Sequence, residues 1–265
     1  VLTICLFTVL PMAAQIALPS AKTAAQTEYR SLERALLTPE KVYRLNLSGL
    51  MLTEVPPEIV KLKNLQWLDL SFNQLDSLPP ELCRLQNLET VTLLFNQLKK
   101  LPDSLGTLKK LRSLNIANNK FETFPTVVTQ LSGLRLLDIA GNAFTSVPVE
   151  LFALTELQDL SMSSNKLTML PSEIGKLTNL MSLDIGNNQI SGLPPEIGNL
   201  AKLQVLEVGS NQLQSLPEDI VKLAKLHTLT LRNNKLTSLP ANIGQLPKLR
   251  TLILWDCLSL TRYKT

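Results

Sequence analysis

Residues able to do catalytic or metal chemistry are few in this chain and badly spaced for it. There is one histidine, His227, and the three cysteines (Cys5, Cys83, Cys257) form no CxxC pair. A lone imidazole cannot complete a zinc set, and no serine, cysteine or second histidine stands at a matching position for it to activate. Glycine-rich phosphate loops, GxSxG and HExxH are absent from the sequence. The expectation is a non-enzymatic protein with no metal or other cofactor. What remains are side chains suited to recognition. An aromatic group comes first: Tyr43, Trp67, Phe72 and Phe95, with Leu94. Carboxylates follow at Asp138, Asp159, Asp184 and Glu207, and then come Arg232, Arg250 and Trp255.

The elements that must position these groups are written in the leucines. They number 59 of 265 residues, against 5% aromatic and 18% charged. One side chain evidently fills the same slot repeatedly. A hydrophobic content of 45% is too rich for disorder. The net charge of +4 includes no run of five like charges, a poor match to nucleic acid. Leu65, Leu88, Leu111, Leu134, Leu157, Leu180, Leu203, Leu226 and Leu249 lie 23 residues apart, with Val42 before them. Nine units without insertion or deletion fill residues 42–248, each reading L-x-x-L-x-L-x-x-N-x-L-x-x-L-P-x-x-I-x-x-L. A partial tenth unit occupies 249–265, with Cys257 in the asparagine slot.

Alternation at Leu68 and Leu70 marks a short strand with both leucines on one face. The recurring asparagine (Asn73, Asn96, Asn119 and onward) follows where the chain turns inward, and its amide can satisfy turn groups of its own and neighbouring coils. Leu78, Leu82 and Leu85, at intervals of four and three, predict a short helical or 3-10 return. The recurring proline is expected at its first position, where no N–H is needed.

With these motifs in view, the chain resembles the leucine-rich repeat family in its 23-residue, LP-containing form. The resemblance implies an α/β solenoid: a right-handed horseshoe with a concave parallel sheet and short helical or 3-10 turns on the convex side. Leu50 and Cys257 depart from the asparagine pattern, both in end units, where atypical residues are normal.

The uncharged apolar stretch at the start marks residues 1–25 as a secretory signal, cut after Ala14 or Ala25, or else an uncleaved anchor. Residues 26–41 read as an N-terminal helical cap, with Leu32, Ala35 and Leu36 on one face of a helix over 27–37. The segment also resembles the entry of exported bacterial leucine-rich repeat proteins. At the far end, Arg262 and Tyr263 replace Leu-Pro, so the last unit is either a frayed cap or a cut array. Cys83 and Cys257 stand eight coils apart, roughly 38 Å at the spacing of strands, too far for a disulfide.

On the concave face two readings stay open for each group. Trp67, Phe72 and Phe95 are anchors for a partner, or the phenylalanines merely pack on one another at the sheet edge. Asp184 and Glu207 share a slot on neighbouring strands, where like charges repel; the column binds a basic segment or Ca²⁺, or is a solvated stripe. Lysines, among them Lys202, Lys225 and Lys248, gather on the turns entering the strands. The expected function is an extracytoplasmic recognition module for a protein or peptide ligand, with no nucleic acid. Membrane contact is expected only through an uncleaved N-terminus. The resemblance also admits the targeting part of a larger effector or receptor, fused to a ubiquitin ligase or kinase, and an intracellular scaffold of small GTPases.

Overall fold

The computed structural model describes residues 27–257, so the expected signal segment, Cys5 and the last eight residues lie outside it. Eleven strands form one all-parallel sheet in which spatial order equals chain order. They are β1 (Glu28–Tyr29), β2 (Arg44–Asn46), β3 (Trp67–Asp69), β4 (Thr90–Thr92), β5 (Ser113–Asn115) and β6 (Leu136–Asp138). Then follow β7 (Asp159–Ser161), β8 (Ser182–Asp184), β9 (Val205–Glu207), β10 (Thr228–Thr230) and β11 (Thr251–Ile253). From β2 onward every residue pairs with the one 23 positions later, as in Leu68 with Val91 and Leu183 with Leu206. The fold is a right-handed α/β solenoid, an open horseshoe of coils, the hand expected of parallel strands joined by crossovers.

The returns on the convex side are 3-10 turns, five residues each in units one to eight, such as Pro80–Arg84 and Glu218–Lys222. Their apolar residues and the strand leucines build one continuous core. Leu65, Leu68, Leu70, Leu75 and Leu85 are fully buried, and their counterparts in later coils follow suit. The recurring proline does not take the first helical position expected of it. It sits one residue earlier, with extended ψ (Pro79, φ −69°, ψ 137°), and its carbonyl accepts the N–H three residues on, as Leu82 to Pro79. Proline is suited to that corner because its φ is already fixed there.

The N-terminal cap also departs from expectation. Its helix, α1, is one turn (Leu32–Ala35), started by Ser31, whose hydroxyl accepts the Arg34 N–H. The residues before it form β1, which pairs Glu28 with Arg44 and Tyr29 with Leu45. A strand there satisfies the edge of β2, which a helix would leave unpaired. The expected apolar face survives: Ala35 is buried, and Leu32 and Leu36 pack on the core.

Candidate functional site

Each asparagine of the repeat ties its own coil to the preceding one through three contacts. The Asn165 Nδ2 donates to the Ile139 and Met162 carbonyls at 3.1 Å, and its Oδ1 accepts the Phe144 N–H at 3.0 Å. Asn96, Asn119, Asn142, Asn188, Asn211 and Asn234 repeat the same three contacts. Cys257 keeps one of them, with its Sγ 3.3 Å from the Leu231 carbonyl. It is buried, as is Cys83, and both are unpaired thiols. Burial raises both thiols above the ordinary cysteine range. A rigid spine therefore fixes the strand face in front of it.

The residue before each asparagine is left-handed in every coil. Gly49, Phe72, Phe95, Asn118, Gly141, Ser164, Asn187, Ser210, Asn233 and Asp256 have φ between 52° and 71°. Glycine and asparagine take this conformation readily, whereas a bulky side chain loses roughly 1–2 kcal/mol there. Phe72 and Phe95 are the two bulky exceptions. They are 56% and 48% exposed and stack on one another, ring centroids 5.0 Å apart. The edge-packing alternative thus holds geometrically, yet the stacked pair still presents its outer faces to solvent. Exposed Leu50 and Met51 belong to the neighbouring coil on the same edge.

The structure divides the expected aromatic group. Trp67 opens β3 and lies beneath the Arg44 guanidinium, 4.4 Å from the ring centroid. Tyr43 precedes β2 and is half-buried. Phe72 is five residues beyond Trp67, about 16 Å along an extended chain, and half-buried Leu94 stands between the two ends. Trp67 and the phenylalanines are therefore opposite rims of the concave face.

The acidic residues are less uniform than the sequence expectation. Asp138 is not an exposed charge: it is 3% exposed, with the Ala140 N–H and the Asn115 amide donating to its carboxylate. Leu136 and Val205, both buried, show how closely the concave surface is packed in this region. Desolvation pushes the Asp138 carboxyl up to about 6, and the nearby Asp184 charge adds to the rise. Asp184 and Glu207 face each other across β8 and β9. Burial raises both, while Arg232 works against the rise, itself stacked 5.3 Å over Trp255. Asp159, on β7, is raised by desolvation alone. Among the described residues no group of three or more His, Cys, Asp or Glu side chains could hold a metal ion. Nor is any helix there long and apolar enough to cross a membrane.

Comparison with known proteins gives a consistent result. Models of a leucine-rich repeat region match residues 42–140 and 126–211, and a further leucine-rich repeat model matches 201–258. A search of curated proteins found no match. Among solved structures, a leucine-rich repeat protein of Leptospira interrogans is 32% identical over 87% of this chain and 70% of its own, with a TM-score of 0.73. The leucine-rich repeat ectodomain of the Arabidopsis thaliana membrane receptor kinase GASSHO1/SCHENGEN3, solved with CASPARIAN STRIP INTEGRITY FACTOR 2, is 32% identical over 80% of this chain (TM-score 0.69). A TDR receptor is 26% identical over 89% (TM-score 0.62). This chain spans 26% and 52% of those two receptors.

Proposed function

Because the chain belongs to the leucine-rich repeat family, whose fold typically serves protein interaction, we propose that it is a non-enzymatic recognition module binding a protein or peptide partner on its concave sheet. One observation carries this reading: Phe72 and Phe95 are solvent-facing aromatics kept in a backbone conformation that disfavours them. Strain of this kind gathers at functional sites, and apolar anchors with exposed faces are what interfaces use. Trp67 and Tyr43 supply the opposite rim, with Leu94 between. Asp159, Asp184 and Glu207, partly relieved by Arg232, offer a basic segment of the same ligand a place to neutralise them; buried Asp138 adds field but no contact. A receptor ectodomain among the structural neighbours supports placement outside the cytoplasm and, as a second reading, service as the recognition part of a larger receptor.

The test compares partners captured by the chain, by Phe72→Asn/Phe95→Asn and by the convex-side control Val149→Asn. Asparagine already occupies the left-handed slot in three coils, so the double variant keeps the fold, with thermal stability unchanged or slightly higher. The reading expects the partner to be lost from the double variant and retained by the control. Capture that is the same in all three would refute it.

A further inference from the structure

A second surface lies toward the C-terminal end of the solenoid, on the edge where the chain turns into the strands, the same rim that Tyr43 occupies in the first coil. Across the last three coils this edge carries Lys202, Lys225 and Lys248 in one column. Gln204, His227 and Arg250 occupy a second column two residues on. The second column is held in register by the backbone: the His227 N–H donates to Gln204 at 2.9 Å and the Arg250 N–H to His227 at 3.0 Å. Lys225, Lys248, His227, Arg250 and Gln204 line a shallow hollow. At about 4.8 Å per coil the two columns span roughly 10 Å.

The charge here is unbalanced. The segments 198–205, 221–228 and 244–251 contain no Asp or Glu. Lys222, one turn away, is already paired with Asp219, and the Lys202 ammonium donates to Asn179 at 2.7 Å. Among the described residues Lys225, Lys248 and Arg250 enter no ion pair, and all three are exposed. Four formal positive charges thus stand on this edge, in a protein whose whole excess is +4. Cations repeated at coil spacing suit a linear ligand with repeated anions, and interleaved hydrogen-bonding groups (Gln204, His227, Thr228) suit a hydroxyl-rich one. In these coils neither column carries a Phe, Tyr or Trp, and the one ring, the His227 imidazole, is a single platform where a run of stacked bases uses several. These cations are mostly lysines, compact point charges that need no planar, bidentate partner.

We propose that this edge is a binding site for a sulfated polysaccharide, with Lys225, Lys248 and Arg250 taking the sulfates and Gln204 and His227 the hydroxyls. It uses side chains other than those of the concave site.

The test measures binding of the full chain to a heparin-derived oligosaccharide, its desulfated counterpart and a single-stranded oligonucleotide of matched charge, at two salt concentrations. Two triple variants are compared. Lys225→Gln/Lys248→Gln/Arg250→Gln removes the site. Lys120→Gln/Lys166→Gln/Lys235→Gln removes the same charge from exposed positions on the other edge. The proposal expects the sulfated sugar to bind best. The first triple variant should lose tenfold or more in affinity, with a salt slope smaller by roughly two to three, and the second should stay within about twofold. Equal losses in both variants, binding that survives desulfation, preference for the oligonucleotide, or no binding would each overturn it.

Discussion

Replacing Asn165 by alanine isolates the contribution of the asparagine spine. Counting bonds alone overstates the damage, because the acceptors are shared. The Ile139 carbonyl, which Asn165 reaches, also receives the Asn142 amide, and the Met162 carbonyl also receives that of Asn188. Both keep a partner after the substitution. The Phe144 N–H does not: its acceptor is the Asn165 Oδ1, and Phe144 is fully buried. One orphaned buried donor costs about 1–3 kcal/mol, and the three carbonyls (Ile139, Met162 and Ser163) that share the two lost amide N–H bonds together add about 1–2 kcal/mol. The expected loss is therefore about 2–5 kcal/mol by urea unfolding followed by circular dichroism. Hydrogen exchange should locate it, with the Phe144 amide and its neighbours losing protection before either end of the solenoid. Asn165→Asp should be worse than alanine at neutral pH, since it returns the acceptor but buries a charge and removes the donor. A loss under 1 kcal/mol for alanine, or a milder effect for aspartate, would refute the view that this amide joins the coils.

Other outcomes follow from the same geometry. Asp138 binds its proton more tightly folded than unfolded, so the folded state gains stability as pH falls. The gain starts as pH drops through about 6 and is complete below the unfolded value near 4. Asp138→Asn should stabilise the protein by about 2–3 kcal/mol at pH 7 and by almost nothing at pH 4, read from paired denaturation curves. Asp159, Asp184 and Glu207 shift in the same direction, so the parent should be more stable at pH 5 than at pH 7. Cys257→Asn should restore the two contacts missing from the last described coil and add about 1–2 kcal/mol of local stability, seen as slower exchange at the Leu236 amide.

Much of the architecture was legible because the period imposes it. Identical spacing of leucines admits one stacking, and the strands, core and parallel order follow. The proline corner and β1 were not legible from that period. Both depend on satisfying particular backbone groups, in the Pro79-to-Leu82 bond and in the pairing of Glu28 with Arg44, and neither leaves a hydrophobic pattern. Of the site, slot membership was readable and depth was not. Asp138 and Asp184 hold equivalent positions, yet Asp138 is buried between the Asn115 amide and the Ala140 N–H while Asp184 is half-buried. The left-handed slot does carry a signal in the sequence: Gly49, Asn118, Gly141, Ser164, Asn187, Ser210, Asn233 and Asp256 are residues that turn easily, and Phe72 and Phe95 stand out against them.

The spine constrains how such a protein can change over evolutionary time. A residue inserted between an asparagine and the carbonyls it reaches would break the joint between those two coils, so the change in length that keeps every joint is the gain or loss of a whole twenty-three-residue coil. Each step placed between Phe95 and Asp184 would carry the acidic patch about 4.8 Å further from the aromatic rim while leaving both chemically intact. The number of coils thereby acts as a ruler, and related chains that differ in it should select ligands of different length and similar composition.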